Sequence, residues 1–204
     1  RLAAGVAHEI GNPITGIACL AQNLREERAD DGELSEMSTQ ILEQTKRVSR
    51  IVQSLMNFAH AGNHQHAADA VCLADITQDA ISLLALNRNS VDVQFFNLCD
   101  PQHLVTGDAQ RLAQVLINLL SNARDASQPG GAIRVKTEAN EETVELLVED
   151  EGSGIPKAIM DRLFEPFFTT KDPGQGTGLG LALVYSIVEE HYGQITIDSP
   201  ADPE

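Results

Sequence analysis

Residues 174–183 read GQGTGLGLAL, with glycine at 174, 176, 178 and 180 and an apolar helical run behind them. Backbone N–H groups in such a loop, together with the N-terminus of the following helix, form a nest for phosphate oxygens. Thr177 stands where it can cap that helix, so Gly176, Thr177, Gly178, Leu179 and Gly180 are the candidate phosphate-binding residues. A glycine-rich loop alone also serves as a plain hinge. The reading therefore turns on what precedes it in the chain.

Two earlier segments carry polar residues where packing alone asks for none. Val148 to Pro156, VEDEGSGIP, runs from a strand pattern into a turn. Asp150 at the strand end can accept a hydrogen bond from an exocyclic amine such as that of adenine, while Gly152 and Gly154 let a ring approach the backbone. Gln114 to Ala126, QVLINLLSNARDA, offers Val115, Leu116, Leu119 and Leu120 for burial and sets Asn118 and Asn122 on a shared helix face. Asparagine is a mediocre helix former, so a pair of them mid-helix is a mild cost in search of a reason. The side-chain oxygen of Asn122 suits Mg2+, a hard cation that takes protein and phosphate oxygens together. Singly, the pair also reads as solvated helix positions and the turn as an ordinary acidic one. Between the turn and the glycine loop lies FEPFFTTK, Phe164 to Lys171. A long loop with three phenylalanines reads as a lid that packs down on a bound molecule.

Around these segments the pattern predicts helices over 73–86, 108–127 and 177–191, with strands over 91–97, 103–106, 133–139, 143–149 and 194–198. Asp108 is a cap for the second helix and Pro129 to Gly131 a break after it. Helices and strands in mixed order imply an α/β sandwich, one sheet layered on three helices.

The N-terminal part reads differently. Leu2, Val6, Ile10, Pro13, Ile17, Leu20 and Leu24 recur at helical steps, as do Leu34, Met37, Ile41, Val48, Leu55 and Phe58, with a short polar connection at Glu27 to Glu33. Two such helices form an antiparallel hairpin that cannot cover both apolar stripes. A second copy would complete a four-helix bundle, so a homodimer is expected. Within AHEIGNPITGI, Ala7 to Ile17, His8 lies off the apolar seam and faces solvent. Pro13 lacks an N–H, so the carbonyl of Glu9 loses its helical partner and the helix can bend beside His8. Residues 61–70, AGNHQHAADA, break the periodicity. With His60, His64 and His66 but no cysteine or carboxylate pair to complete a ligand set, they read as a solvated linker rather than a metal tract. The expected division is a helical hairpin over 1–60, a linker over 61–70 and the α/β domain over 71–204.

Composition bounds the partners. Thirty acidic against 14 basic residues give a net charge of −16, a field that repels nucleic acid. No window approaches the roughly 18 consecutive apolar residues of a membrane span, so this stretch is expected to make no membrane contact. Cys19, Cys72 and Cys99 lack CxxC spacing and fit reduced, packed thiols in a cytoplasmic compartment. Arg1 and Leu2 already belong to the helical pattern, as expected of a fragment of a longer protein.

Taken together, these motifs resemble those of the sensor histidine kinases of two-component signalling. His8 with EIGNP is similar to their phosphoacceptor box, and Asn118 with Asn122 to their N box. Asp150, Gly152 and Gly154 resemble the first glycine box, FEPFF the F box, and Gly176, Gly178 and Gly180 the second glycine box. The five motifs stand in the family's order. The resemblance implies a dimerisation and phosphotransfer hairpin followed by an ATP-binding domain of the fold shared with certain chaperones, mismatch-repair proteins and topoisomerases. Other kinase plans are excluded separately, since the chain has no GxxxxGK[ST] loop and no HRD or DFG.

For the chemistry, the resemblance implies ATP with Mg2+ as cofactors, Asn122 as metal ligand and Asn118 as its helper. Lys171 and the second glycine box would steady the phosphates, and Asp150 would read adenine. His8 would accept the phosphoryl group, with Glu9 orienting the ring, and a response regulator receiver domain would receive it in turn. Water-splitting relatives carry Glu where this chain has Asn118, and an amide cannot take a proton from water, so transfer to His8 is favoured over hydrolysis. Asn12, one helical turn after His8, implies phosphatase activity toward the regulator. A mainly phosphatase protein and a non-catalytic dimeric scaffold are the alternatives. Two departures stand out: Asp125, preceded by Arg124, replaces the Lys common in relatives, which would leave Arg124 a surface cation, and the chain stops at Ala201 to Glu204 before the family's usual last strand.

Overall fold

The computed structural model describes residues 2–27, 31–59, 69–86, 91–171 and 176–199, with side chains omitted at 2–9, 11–13, 27, 47, 50, 51 and 53–59. These residues divide into two compact units, Arg1–His64 with Phe167–Leu179, and Gln65–Pro166 with Gly180–Glu204.

In the first unit, helices α1 (Leu2–Glu27) and α2 (Gly32–Ala59) form the hairpin. The backbone of α1 continues through Gly11 and Pro13 without a break. Asp31 starts α2, because its carboxylate accepts from Leu34 N–H at 3.2 Å and its carbonyl from Ser35 N–H at 2.9 Å. Small residues close the hairpin: Ala21, Ser38 and Thr45 are buried. The two hydroxyls are satisfied inside α2, Ser38 donating to the Leu34 carbonyl at 2.7 Å and Thr45 to that of Leu42 at 2.9 Å. The large apolar residues of the seam stay out in this single chain. Ile17 is 46% exposed, Leu20 71% and Met37 52%. Ile14, Ile17, Met37, Ile41 and Val48 line an open groove of about 560 Å³ between the helices.

The second unit holds strands β1 (Asp69–Cys72), β2 (Gln94–Leu98), β3 (Leu104–Gly107), β4 (Ala132–Ala139) and β5 (Val144–Asp150), with helices α3 (Leu73–Ala85), α4 (Ala109–Ala126) and α5 (Gly180–Glu190). Three helices are found as expected, but the strands make two sheets rather than one. β1 pairs antiparallel with β3, while β4 lies between parallel β2 and antiparallel β5. β1 begins two residues inside the stretch read as linker. Its four residues are too few to show an alternation in sequence, and its partner β3 lies far along the chain.

On β4 the alternation is regular. Ile133, Val135 and Thr137 are buried, and Ile133 and Val135 with Leu116, Leu120 and Ala123 of α4 and Val71, Leu73, Ile76 and Ala80 form the core. The opposite face is polar: Arg134 meets Glu151 at 2.9 Å and Lys136 meets Glu149 at 2.7 Å.

Two expected elements are corrected. The third helix starts at Gly180 rather than Thr177, because Gly178 has φ +66°, a left-handed conformation that ends any helix running through it. Residues 194–198 form no ladder in the described structure. Their end is tied down by a side chain instead, since Ser199 Oγ accepts from Ile155 N–H at 2.9 Å.

Candidate functional site

In the second unit the site is built on α4. Asp108 caps it, its carboxylate accepting from Gln110 N–H at 2.8 Å and Arg111 N–H at 3.1 Å. Asn118, Asn122 and Ala126 follow one another at steps of four, so they form a stripe along one side of the helix. Each end of the stripe meets a glycine segment. Asn118 gives its Nδ2 hydrogen back to the Gln114 carbonyl at 2.8 Å. Its Oδ1 is turned to Gly180, where a Cβ would come within 2.9 Å of it. At the other end, Ser153 N–H donates to the Ala126 carbonyl at 3.2 Å. Asn122 sits midway and is half-buried.

The turn after β5 is shaped by Asp150, whose Oδ1 accepts from Gly152 N–H at 2.8 Å while the residue remains exposed. A Cβ at Gly152 would lie 2.6 Å from that oxygen and 2.9 Å from Ala126, so only glycine fits between strand and helix. Gly154 follows with φ +72° beside Ser199 Oγ. The second unit thus brings together Asn118, Asn122, Asp150, Gly152 and Gly180. Arg124, expected on the surface, is buried, and its guanidinium reaches the Leu84 carbonyl near the end of α3 at 3.4 Å. A cation at a helix C-terminus meets the negative end of its dipole, which gives Arg124 a packing role.

The lid sequence is split between the units. Phe164 follows a 3₁₀ turn, Lys157–Arg162, and its ring packs against Tyr185 of α5 with centroids 5.3 Å apart. Tyr185 hydrogen-bonds Glu189, which pushes its phenol pKa up.

The remaining loop residues belong to the first unit. Phe167 N–H donates to the Gly178 carbonyl at 2.8 Å, and a Cβ at Gly178 would lie 2.3 Å from the Phe167 carbonyl carbon. Phe167 itself has φ +68°, a conformation costly for a bulky residue, and its ring is exposed. Thr169 Oγ1 accepts from Lys171 N–H at 3.2 Å and fills the space a Cβ at Gly176 would need. Thr177 Oγ1 accepts from Leu179 N–H at 3.4 Å, a cap placed ahead of the first turn of α5, and Leu179 is buried.

His8, Glu9 and Asn12 fall on α1, and their side chains lie outside the described ones, as do His60, His64 and His66 with the linker. Among the described residues no cluster of histidine, cysteine and carboxylate suits a metal held by protein alone. Cys72 and Cys99 are part-buried, and burial pushes the Cys99 thiol pKa up. Cys19 is exposed on α1, contrary to the packed thiol expected. No helix among the described residues is long and apolar enough to cross a membrane.

Comparison with known proteins agrees with this arrangement. Residues 1–64 match the family model of the His Kinase A (phospho-acceptor) domain, and residues 107–203 match that of the histidine kinase-, DNA gyrase B- and HSP90-like ATPase. Sensor histidine kinase ZraS of Escherichia coli K12 is 37% identical over 200 residues, covering 98% of this chain and 42% of ZraS. Signal transduction histidine-protein kinase AtoS of the same strain is 33% identical, covering 98% of this chain and 32% of AtoS. The chain therefore spans less than half the length of these relatives. A crystal structure of histidine kinase ThkA in complex with response regulator protein TrrA superposes with a TM-score of 0.64 and 27% identity, covering 94% of this chain and 55% of that one. With a phosphoacceptor hairpin in front and the ATPase motifs ordered along α4, β5 and α5, the chain belongs to the two-component sensor histidine kinases.

Proposed function

We propose that this chain is an ATP-dependent protein histidine kinase, which phosphorylates His8 and passes the phosphoryl group to an aspartate of a response regulator receiver domain. The supporting observation is the stripe on α4: Asn118 touches Gly180, Ala126 holds the turn of Asp150 and Gly152, and Asn122 lies between. The two contacts are eight residues apart, about 12 Å along a helix. In this reading adenine lies at the Asp150 end, its amine donating to the carboxylate. The phosphates lie toward the N-terminus of α5, where unsatisfied N–H groups and the helix dipole favour an anion.

The donor set fits Mg2+, because Asn118 spends its Nδ2 on Gln114 and so presents an oxygen, and Asn122 supplies a second amide oxygen on the same stripe. Bound there, the ion would offset phosphate charge. Asn118 also explains the direction of the chemistry. No carboxylate stands at that position to activate water, so the γ-phosphoryl group keeps for the imidazole. Lys171, Gly176, Thr177, Gly178 and Leu179 steady the phosphate tail in this proposal, with Thr177 and Gly178 shaping the loop.

At His8 the attack needs a neutral imidazole, its free lone pair aimed at the γ-phosphorus. The N–P bond forms as the bond to ADP breaks. Glu9 holds the other ring nitrogen and takes its proton, curling back because adjacent helix positions point about 100° apart. Asn12 shares the face of His8 and holds water in line with the regulator's aspartyl phosphate. The exposed seam of Ile17, Leu20 and Met37 supports a homodimer of hairpins over 1–60, and because β1 pairs with β3 from Asp69 onward, the catalytic domain starts there, two residues before the expected 71. In this reading the use of ATP and of a receiver domain supports a cytoplasmic setting for this part of the protein.

A phosphotransfer chase tests the reading. Chain labelled from γ-labelled ATP, freed of nucleotide and mixed with a receiver domain, should lose its label to the receiver within the mixing experiment. Label that stays on the chain with every receiver offered would contradict the transfer. Asn12→Ala should still label but lose dephosphorylation of the regulator. Full phosphatase rate in that variant would remove Asn12 from the mechanism.

A further inference from the structure

α4 and α5 are fastened a second time, away from every motif. Arg111 on α4 is buried, and its guanidinium donates to the Glu190 carboxylate at the end of α5. The next residue, His191, bridges back to the start of α4. Its Nε2 lies 3.1 Å from Asp108 N, which can only donate, so Nε2 accepts; Nδ1 then carries the hydrogen and donates to the Ile187 carbonyl at 2.8 Å. The ring lies against Gly107, the last residue of β3, where a Cβ would come within 2.5 Å of His191 Cδ2.

Arg111 and Asn118 are seven residues apart, about 10 Å along the helix. The Asn118–Gly180 contact is at the N-terminal end of α5, and buried Leu183, Val184 and Ile187 run along the helix behind it. The clasp at Glu190 and His191 fixes the other end of the helix. A buried ion pair adds little net stability, because desolvation offsets the attraction, so its contribution here is geometric rather than cohesive. We propose that His191, together with the Arg111–Glu190 pair, is a positioning group for the nucleotide: it fixes the bearing of the N-terminus of α5 relative to Asn118 and Asn122 without touching the ligand. The inference rests on the nucleotide reading above.

Gly107→Ala and His191→Ala separate this role from simple cohesion. The measurement is the Kd for Mg-ATP, by displacement of a fluorescent ATP analogue well below the unfolding temperature, with the binding-competent fraction counted. Each single variant should raise Kd about tenfold, the size expected for one lost buried hydrogen bond, with the competent fraction unchanged. Gly107→Ala acts chiefly by displacing the ring, Leu112 Cδ1 at 3.2 Å needing to give only a few tenths of an ångström, so in a His191→Ala background it should add less than about twofold. His191→Gln, which can still accept from Asp108 N–H, should recover to within about threefold of the parent. A lowered melting temperature with unchanged Kd would overturn the proposal, as would additive losses in the double variant. If the parent chain itself binds no ATP, the nucleotide reading fails first and the positioning role falls with it.

Discussion

Gly178 shows most sharply what single residues do here. Its φ of +66° and the 2.3 Å approach of a would-be Cβ to Phe167 are two separate objections to any side chain. Gly178→Ala should therefore weaken Mg-ATP binding more than tenfold while the helical hairpin keeps its circular dichroism; an unchanged affinity would take the loop out of the nucleotide site. The run GQGTGLGLAL announces such a loop, yet the sequence cannot tell which glycine is pinned, because the pinning atom is a backbone carbonyl eleven residues earlier. Gly152 was legible as a point of close approach, but its partner Ala126 was not, since a helix end and a strand end meet only in space. Arg124 was misread for a related reason: a cation in a polar stretch looks exposed until the Leu84 carbonyl is seen to receive it. The thiols give a second test. Cys19 is exposed, while burial raises the pKa of Cys99 and lowers its thiolate fraction at a given pH, so at pH 8 iodoacetamide should modify Cys19 first and Cys99 last. Equal rates would contradict the burial of Cys99.

Among the elements, α4 was read to within one residue at each end because its signals are local: Asp108 caps it, its apolar face repeats at helical steps, and Pro129–Gly131 follow its end. It also carries the core. Leu116 and Leu120 are fully buried, so Leu120→Ala should cost about 2–5 kcal/mol in thermal or denaturant unfolding. A loss below about 1 kcal/mol would mean that the core is looser than the packing implies. β1 was missed, and the segment 194–198 was over-read as a strand. A four-residue strand has too little periodicity to announce itself, while a short apolar alternation such as that of the tail suggests a strand whether or not a ladder partner lies beside it. α1 carries the weak stretch of Gly11 and Pro13 within an otherwise continuous helix. If that stretch is a soft joint for His8, Pro13→Ala should change kinase and phosphatase rates by different factors; equal changes would return Gly11 and Pro13 to packing roles.

For the molecule as a whole, the motif order along the chain carried the plan, while the association of copies is read from what one hairpin leaves uncovered. Leu20 is 71% exposed and Met37 52%, an apolar seam too long to face water. Leu20→Glu should shift sedimentation from dimer to monomer, and an unchanged dimer would move the interface elsewhere. The central claim is that ATP's γ-phosphoryl group ends on one histidine of α1. Incubation with γ-labelled Mg-ATP, followed by acid and base treatment, tests it most directly. The account predicts a phosphoprotein that is acid-labile and base-stable and that disappears in His8→Gln; label that survives acid, or that persists at full level in His8→Gln, would contradict it.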